Sequence, residues 1–207
     1  MEAAVREDAD DSVTDGRTKR SLRTRAAVVD AVMALVKEGD LRPTAPRIAE
    51  RAGVSLRSVF QHFNDLGALH AAVAERQIAE VAGLTRPIDP HLPLAERVPA
   101  FVAQRAAVLE AVTPIRRASL VNPLSPEGHS GYERMRSLSR EEVARVFATE
   151  LDRLSGEERA EVLEAIDMVS SWQAWEGLRQ YQRLDDDTAK TVVGRILMSL
   201  LTNRSPA

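Results

Sequence analysis

The sequence predicts an all-α protein. Along most of the 207 residues apolar side chains recur at the three- and four-residue spacing of helices, and no segment shows a strand pattern. Aromatic residues make up only 4% of the chain, and the apolar share of 44% consists largely of Ala, Leu and Val. These residues suit close helix packing, whereas β-sandwiches are rich in aromatic and β-branched side chains.

The composition excludes several classes of site. The chain has no cysteine, which excludes disulfides, cysteine-based zinc sites, iron–sulfur clusters and cysteine nucleophiles. No apolar run is long enough to span a bilayer, and the acidic N-terminus does not resemble a secretory signal. We therefore expect a cytoplasmic protein.

Charge is distributed unevenly along the chain. Residues 1–16 hold six acidic residues against one arginine, and residues 17–62 hold ten basic residues against four acidic ones, although the whole chain has a net charge of −3. A basic block inside an acidic protein favours a module that faces a polyanion. A solvated helical surface would give the same pattern, so charge alone leaves both interpretations open.

The first helix is predicted to follow a disordered tail. Residues 1–20 lack apolar periodicity, which is typical of disorder. Thr24 is a suitable N-cap for a helix that continues to about Glu38. Gly39 is expected to end that helix.

Two short helices come next. Thr44 is a good N-cap, and Pro46 is tolerated in a first turn because its missing amide hydrogen would be unpaired there. Gly53 is predicted to end this helix in the left-handed conformation. Ser55 then caps a helix that continues to Phe63.

The rest of the chain is predicted to be helical apart from one irregular stretch. Asn64 and Asp65 cap a fourth helix over about 66–82. Three Xaa-Pro steps and two glycines between Thr113 and Gly131 indicate irregular structure, enclosing at most one short helix around 115–121. The remaining helices are predicted over about 98–112, over about 132–154, from the capping-box pair Ser155 and Glu158 to about Tyr181, and after the acidic run 185–187.

The turn over 52–55 joins two short helices into a helix-turn-helix. The exposed face of the second helix would present Arg57, Ser58, Gln61 and His62. These residue types can form hydrogen bonds to guanine, adenine or phosphate from the major groove. An ordinary helical hairpin in a bundle remains the alternative.

These residues resemble the tetracycline-repressor-like (TetR/AcrR) family of bacterial transcription regulators. The resemblance covers about residues 21–81 closely, and beyond them only the helical layout is similar. It is carried by Thr44, Ile48-Ala49-Glu50-Arg51-Ala52-Gly53-Val54-Ser55, Val59-Phe60-Gln61-His62-Phe63, Ala68 and Leu69.

The resemblance implies two domains after the tail 1–20. A three-helix DNA-binding domain over 21–81, with its helix-turn-helix at about 44–63, would bind a palindromic operator. A helical domain over 82–207 would form a homodimer through its last two helices and enclose a pocket for a small-molecule effector. Effector binding would change the spacing of the recognition helices and release DNA, and the half-sites would lie about 34–36 Å apart or a multiple of that.

The resemblance also assigns backbone contacts. Thr44 and Ala45, at the start of the second helix, should lie near phosphate. Ser55 and His62 match positions that usually contact the DNA backbone, and a buried core role is the alternative for His62. No second histidine stands four residues from His62, so a metal-binding role is not expected.

Base readout is expected from the second helix of the motif. Arg57 and Ser58 lie where the family contacts base edges, and Gln61 matches a position near bases or phosphate. Arg57 is the best candidate for a bidentate contact with guanine, worth about 1–3 kcal/mol of discrimination. A solvated arginine or a phosphate contact is the alternative role for this residue.

The sequence departs from the family pattern at four positions. Phe60 replaces the usual tyrosine, Leu66 and Gly67 replace lysine and glutamate, and Leu56 stands where lysine is frequent. With fewer phosphates neutralised, the salt dependence should be shallower, by about 0.9 in the log–log slope for each such phosphate. A basic arm along the backbone or in a minor groove would compensate; it consists of Arg17, Lys19, Arg20, Arg23 and Arg25.

The last two helices have apolar stripes that suit a four-helix dimer interface or the subunit's own core. These stripes consist of Val162, Ile166 and Val169, and of Val192, Ile196 and Leu200. Trp172 and Trp175 are neighbours on the penultimate helix, where they would pack in a core, pack at the dimer or line a pocket. Packing is the favoured role.

Candidate effector-binding residues are few. Arg116, Arg117, His129 and Tyr132 flank the irregular stretch, which is a candidate gate because irregular segments often carry function. Arg116 or Arg117 would pair with an acidic effector, although surface arginines are the simpler interpretation. With Trp172, the two arginines and Tyr132 form the predicted ligand set.

An enzyme is not expected, and neither is a cofactor. The four histidines stand apart from any nucleophile elbow, P-loop or dinucleotide fingerprint. The competing hypothesis is a helical ligand-sensing or protein-interaction dimer whose DNA-binding head is degenerate. Leu56, Phe60 and Leu66 favour that hypothesis, and the polar face of the recognition helix argues against it.

Overall fold

A computed structural model describes the backbone of residues 2–122 and 126–202 and the side chains of residues 18–122 and 129–202. In these residues every regular element is a helix, as predicted. The helices are α1 (Glu2–Lys37), α2 (Ala45–Ala52), α3 (Leu56–His62), α4 (Leu66–Ala82), α5 (Leu94–Val121), α6 (Pro126–Val146), α7 (Ala148–Leu151), α8 (Gly156–Val169), α9 (Trp172–Glu176) and α10 (Asp186–Thr202), with a π-helical segment at Gly177–Tyr181. None of the described helices is long and apolar enough to cross a membrane.

Packing divides the chain into two units. The first unit comprises residues 1–76 and 114–129, and the second comprises residues 77–113 and 130–207. The domain boundary predicted at residue 81 assigns 114–129 to the regulatory half, whereas their packing assigns them to the first unit.

The core of the first unit is built on the apolar face of α1. Val28 is fully buried, and Ala31, Val32 and Leu35, which share its face of the helix, are buried with it. Ile48 from α2 and other apolar residues of α2, α3 and α4 complete this cluster. The end of α5 joins it through Ala118.

The start of α1 differs from the prediction. The segment 1–20, predicted to be a disordered tail, is helical from Glu2, and Thr24 lies inside the helix instead of capping it. The Thr24 hydroxyl donates to the Arg20 carbonyl at 3.1 Å. The segment has no proline, and a helix propagates from a packed turn at much lower cost than it nucleates. Apolar periodicity therefore misses a helical extension in which the apolar pattern is absent.

The second unit has its own apolar core. Val98 and Phe101 of α5 are buried, and the Phe101 ring meets Phe147 edge-on with the ring centroids 5.2 Å apart. A buried ion pair also crosses this core. Arg97 donates to both carboxylate oxygens of Glu150, at 2.8 Å and 2.5 Å.

The stretch between Thr113 and Gly131 is more regular than predicted. Helix α5 continues through Pro114 to Val121, and α6 begins at Pro126; residues 123–125 lie outside the described residues. A proline inside a helix costs about 3 kcal/mol, because it removes one backbone hydrogen bond and crowds the preceding turn. Burial of Val112 before the proline and Ala118 after it favours the continuous helix.

Two predicted long helices are each interrupted. The helix predicted over 132–154 ends at Val146 and is followed by the short α7. The helix predicted from Ser155 to Tyr181 begins with the expected capping box but ends at Val169. Ser171 caps the new helix α9 by accepting from the Ala174 amide at 3.2 Å. A local side-chain cap of this kind competes with helix continuation, and an apolar pattern does not reveal it.

Candidate nucleic-acid interface

Helix α2 begins where the sequence predicts. Thr44 has extended backbone angles (φ −81°, ψ 153°), and its carbonyl accepts from the Ile48 amide at 2.9 Å. Its hydroxyl makes no capping hydrogen bond and is exposed. The hydroxyl at the start of α2 is therefore available to an external acceptor such as phosphate.

The turn between α2 and α3 depends on Gly53. Its backbone is left-handed (φ 66°, ψ 32°), the conformation that glycine adopts most easily. The Val54 amide then donates to the Ala49 carbonyl at 3.0 Å, closing the end of α2. This turn sets the direction in which α3 leaves α2.

Ser55 caps α3 as predicted. Its hydroxyl oxygen accepts from the Ser58 amide at 3.1 Å and lies 2.9 Å from the Ser58 hydroxyl oxygen. The two hydroxyls are therefore partners of each other in the free protein. A DNA contact by either one has to share or replace this hydrogen bond.

The two sides of α3 are clearly different. Val59 and Phe63 are buried in the core of the first unit. Because successive residues lie about 100° apart around a helix, Arg57 and Gln61 fall on the opposite side. Both are exposed. Arg57, predicted to read bases, and Gln61, predicted to lie near bases or phosphate, thus occupy the side of α3 that faces away from the core of the first unit.

Two flanks border that outward side. Ser58 and His62 lie on one flank, and both are half-buried. Leu56 and Phe60 lie on the other flank, where they are 43% and 58% exposed. The recognition surface, defined here as residues 56–58 and 60–62, is therefore polar across its centre and apolar along one edge.

Ion pairs hold several basic residues of the first unit. Arg51 pairs with Glu38, which raises the pKa of Arg51 mainly through their hydrogen bond. Arg47 lies 2.7 Å from an Asp40 carboxylate oxygen. Arg76 pairs with Asp30 at 3.2 Å. The ten basic residues counted over 17–62 therefore overstate the positive charge that is available to a ligand.

Other arginines of this unit form a hydrogen bond or a ring contact, and some form no ion pair. Arg42 donates to the Val121 carbonyl at 2.6 Å, and Arg25 lies 5.1 Å from the centroid of the Phe63 ring. Among the described residues, Arg23 and Arg57 have no ion-pair partner. Sequence reasoning did not single out Glu38 and Asp40 as anchors. Both residues lie just after a helix end and close in sequence to the arginines of the next helix, and this position could have indicated the ion pairs.

The residues predicted to bind an effector are divided between the two units. Arg116 and Arg117 belong to the first unit, and both are half-buried; Tyr132 and Trp172 belong to the second. Trp172 is buried, and its Nε1 donates to the Thr113 hydroxyl at 3.0 Å, as its favoured packing role predicts. No cluster of potential metal ligands occurs among the described residues.

The last helices use most of their apolar stripes inside the subunit. Ile166 is fully buried, and Val162, Val169 and Leu200 pack against the same core. Ile196 is different, because it is 41% exposed on α10. The exposed edge of α10 at Ile196 is one part of the predicted dimer surface that remains uncovered in the single chain.

The first unit contains the helix-turn-helix of α2 and α3, and every regular element described in the second unit is a helix. No protein-family model matches the sequence, and no curated protein matches it. The structure is similar to the crystal structure of a TetR transcriptional regulator from Rhodococcus sp. RHA1, with a TM-score of 0.56. The match covers 87% of this chain and 96% of that chain at 18% identity. The chain therefore has a TetR-like fold.

Proposed function

We propose that the protein is a sequence-specific DNA-binding transcription regulator. The observation that carries this proposal is the outward side of α3. There Arg57 and Gln61 are exposed, and Arg57 has no ion-pair partner among the described residues. Arginine and glutamine are the side chains that make bidentate contacts with guanine and adenine in the major groove.

The backbone contacts follow from the helix ends. Thr44 and Ala45 at the start of α2 would contact one phosphate, since the first amides of a helix and the free Thr44 hydroxyl favour an anion. Ser55 and His62, near the two ends of α3, would contact the backbone on either side of the base contacts. Ser58 would assist base readout beside Arg57.

The protein is proposed to act as a homodimer on a palindromic operator. The exposed edge of α10 supports the dimer, because Ile196 is an apolar side chain left in contact with water. Two copies of α3 would then enter major grooves about 34–36 Å apart, or a multiple of that distance. A regulator of this kind would work in the cytoplasm, without a cofactor or a catalytic step.

Repression relieved by a small-molecule effector is the proposed mode of regulation. The TetR-like fold supports it, together with a second unit that has its own core. Arg116, Arg117 and Tyr132 remain the candidates for effector contacts, with buried Trp172 as part of a wall. A reporter gene placed behind the operator would be expected to gain expression when the protein is deleted, and an activator would give the reverse.

A second candidate function is favoured by the apolar edge of the recognition surface. Leu56 and Phe60 are exposed there, and Leu66 at the start of α4 is 68% exposed. An exposed apolar group of this kind also suits a protein partner. In that case the protein would be a helical ligand-sensing or protein-interaction dimer with a degenerate DNA-binding head.

Binding selection and variants of Arg57 distinguish the two functions. The wild-type protein is used to select duplexes from a random library at physiological salt, and fluorescence anisotropy then gives its affinity for the selected and scrambled duplexes. Arg57→Ala should weaken binding to the selected duplex by about 10- to 100-fold and bring it toward the scrambled value. Arg153→Ala, which removes an exposed arginine of the second unit, should have no such effect.

Two results would contradict the proposal. Selection that enriches no sequence would favour the degenerate head, and so would equal affinity for selected and scrambled duplexes. If a sequence is enriched but Arg57→Ala binds it as tightly as the wild type, base readout by Arg57 is wrong.

A further inference from the structure

We infer that Phe60 is a specificity-determining residue that recognises the C5-methyl group of a pyrimidine in the major groove. The natural source of that group is thymine, and 5-methylcytosine offers the same chemistry. The inference rests on the proposed DNA-binding function and adds to it a contact through the apolar edge of the recognition surface.

The Phe60 ring is not required by the core of the first unit. Val59 and Phe63 supply the buried apolar side chains of α3, and Phe60 is absent from that cluster. Its side chain is 58% exposed, although a phenyl ring gains more than most side chains from burial. Leu56, one helical turn earlier, is also exposed, so the two side chains form an exposed apolar group, and such a group suits contact with another molecule.

The position of Phe60 on α3 directs the ring toward base edges. It lies three residues after Arg57 and one before Gln61, so its direction from the helix axis is about 60° from that of Arg57. Leu56 stands four residues earlier and extends the same apolar edge. When Arg57 and Gln61 meet base edges, Phe60 is placed beside the same or the adjacent base pair.

The chemistry of the major groove indicates which group of the DNA the Phe60 ring would contact. A phenyl ring has no hydrogen-bond donor, so it gains nothing from a phosphate and would remove water from it. On the edges of the four base pairs in the major groove, the thymine methyl is the apolar group, and phenylalanine is one of the side chains that contact it. Phe60 therefore matches the pyrimidine C5-methyl better than any other feature that α3 would meet in the groove.

The test compares duplexes that differ only by methyl groups. After selection of an operator by the wild-type protein, each thymine of one half-site is replaced in turn by deoxyuridine, which lacks the C5-methyl. Affinities are measured by fluorescence anisotropy for the wild type and for Phe60→Ala. At one position the wild type should lose about fourfold in affinity, the value expected for one buried methyl group. Phe60→Ala should bind the two duplexes equally.

A second set of duplexes identifies the methyl group itself. At the sensitive position the thymine–adenine pair is replaced by a cytosine–guanine pair, with and without the cytosine C5-methyl. The wild type should prefer the methylated duplex by a similar factor, and Phe60→Ala should not distinguish them. Leu138→Ala removes an exposed apolar side chain of the second unit and should retain the full methyl preference. Thermal unfolding of Phe60→Ala should match that of the wild type, since the ring lies outside the core.

The outcomes separate this inference from the proposed function. Specific binding with no sensitivity to deoxyuridine at any position would overturn the role of Phe60 and leave the DNA-binding proposal intact. A methyl preference that persists in Phe60→Ala would overturn it as well, because another residue would then make the contact. Failure of the wild type to select any sequence would contradict the proposed function, and the role of Phe60 with it.

Discussion

Gly53 is the residue on which the helix-turn-helix geometry depends. At φ 66° it lies in the left-handed region, and a Cβ at this position would meet no heavy atom within 4 Å. Any penalty for a larger residue therefore comes from the backbone conformation and not from crowding. A substitution at Gly53 therefore measures the cost of the left-handed backbone conformation without a contribution from crowding.

Gly53→Ala should destabilise the protein by about 1–2 kcal/mol, the cost of a non-glycine residue in the left-handed conformation. Gly177→Ala is the matched control, because Gly177 also has open space but has helical backbone angles (φ −56°, ψ −48°). Alanine there should stabilise by about 0.5–1 kcal/mol. Urea unfolding of both variants measures the two effects, and a loss of stability in both would contradict this explanation.

The buried pair of Arg97 and Glu150 gives a second prediction at the scale of single residues. Arg97 also donates to the carbonyls of Leu92 and Val146, each at 2.7 Å, so every part of the guanidinium has a partner. Arg97→Ala would leave the Glu150 carboxylate buried without its cation, and should cost about 3–5 kcal/mol.

Urea unfolding measures the effect of Arg97→Ala and that of a control variant. Arg159→Ala breaks an ion pair with Asp152 that is largely open to solvent, and should cost about 1 kcal/mol or less. The double variant Arg97→Met with Glu150→Leu should recover much of the loss, because no unpaired charge remains. If Arg97→Ala lowers the free energy of unfolding no more than Arg159→Ala does, the buried pair of Arg97 and Glu150 does not stabilise the fold as predicted.

Single residues were predictable where local chemistry decides their role. Gly53 and Ser55 act as the sequence predicts, because the end of one helix and the cap of the next require only neighbouring residues. Trp172 is buried, the role that the sequence favoured among three. Glu38 and Asp40 were missed because their ion pairs form across a loop, where spacing in the sequence gives no guide to distance.

Among the helices, α8 has the best-defined start. The Ser155 hydroxyl accepts from the Glu158 amide at 3.4 Å, while the Ser155 amide donates to the Glu158 carboxylate at 3.1 Å. These hydrogen bonds from Ser155 lower the pKa of Glu158. Both halves of the capping box were predicted from the sequence.

The capping box predicts a pH dependence. Because the folded pKa of Glu158 is below its unfolded value, its contribution is complete above the ordinary pKa of glutamate and is lost as the pH falls through the folded pKa. Glu158→Gln should therefore lower the urea midpoint at pH 7 more than at pH 3. Glu161→Gln, an exposed carboxylate on the same helix, is the control and should show little difference between the two pH values. Equal effects of Glu158→Gln at both pH values would rule out the ionised cap.

The helices that were wrongly bounded share one cause. The apolar pattern finds a helix by the face it buries, so it missed the start of α1, where the pattern is absent. It also merged α8, α9 and the π-helical segment, because they face one core in succession. The continuation of α5 through Pro114 shows the reverse error, in which a local helix breaker is overcome by burial on both sides.

For the whole molecule, association of two chains is the property that the proposed function requires. Ile196 on α10 is 41% exposed, although its neighbours Val193 and Leu197 are buried in the subunit core. Ile196→Glu should produce a monomer, because a carboxylate covered by the proposed apolar interface would have to lose its water. Sedimentation velocity at micromolar concentration measures the change.

Leu138→Glu provides the control for this substitution, since Leu138 is 47% exposed on α6 and lies outside the proposed dimer surface. It should sediment like the wild type. A dimer that persists in Ile196→Glu would place the interface elsewhere, and a monomeric wild type would contradict the proposed homodimer.

The all-helical class and the helix-turn-helix were predictable for the whole chain, because both follow from periodicity and from turn residues. The division into two units was less predictable from the sequence. Residues 114–129 pack with the N-terminal unit although they are distant from it in sequence, and only tertiary contacts such as that of Arg42 with the Val121 carbonyl reveal this.

The ion pairs of Glu38 and Asp40 have a consequence for how such a protein would find its site. A regulator meets a vast excess of irrelevant sequence, and each cation free to touch a phosphate lengthens its stay on every wrong segment. By holding Arg51 and Arg47, these two carboxylates would shorten those stays while leaving Arg57 free to test the bases. The acidic residues after α1 would thus weaken non-specific DNA binding and increase the speed of the search for the operator.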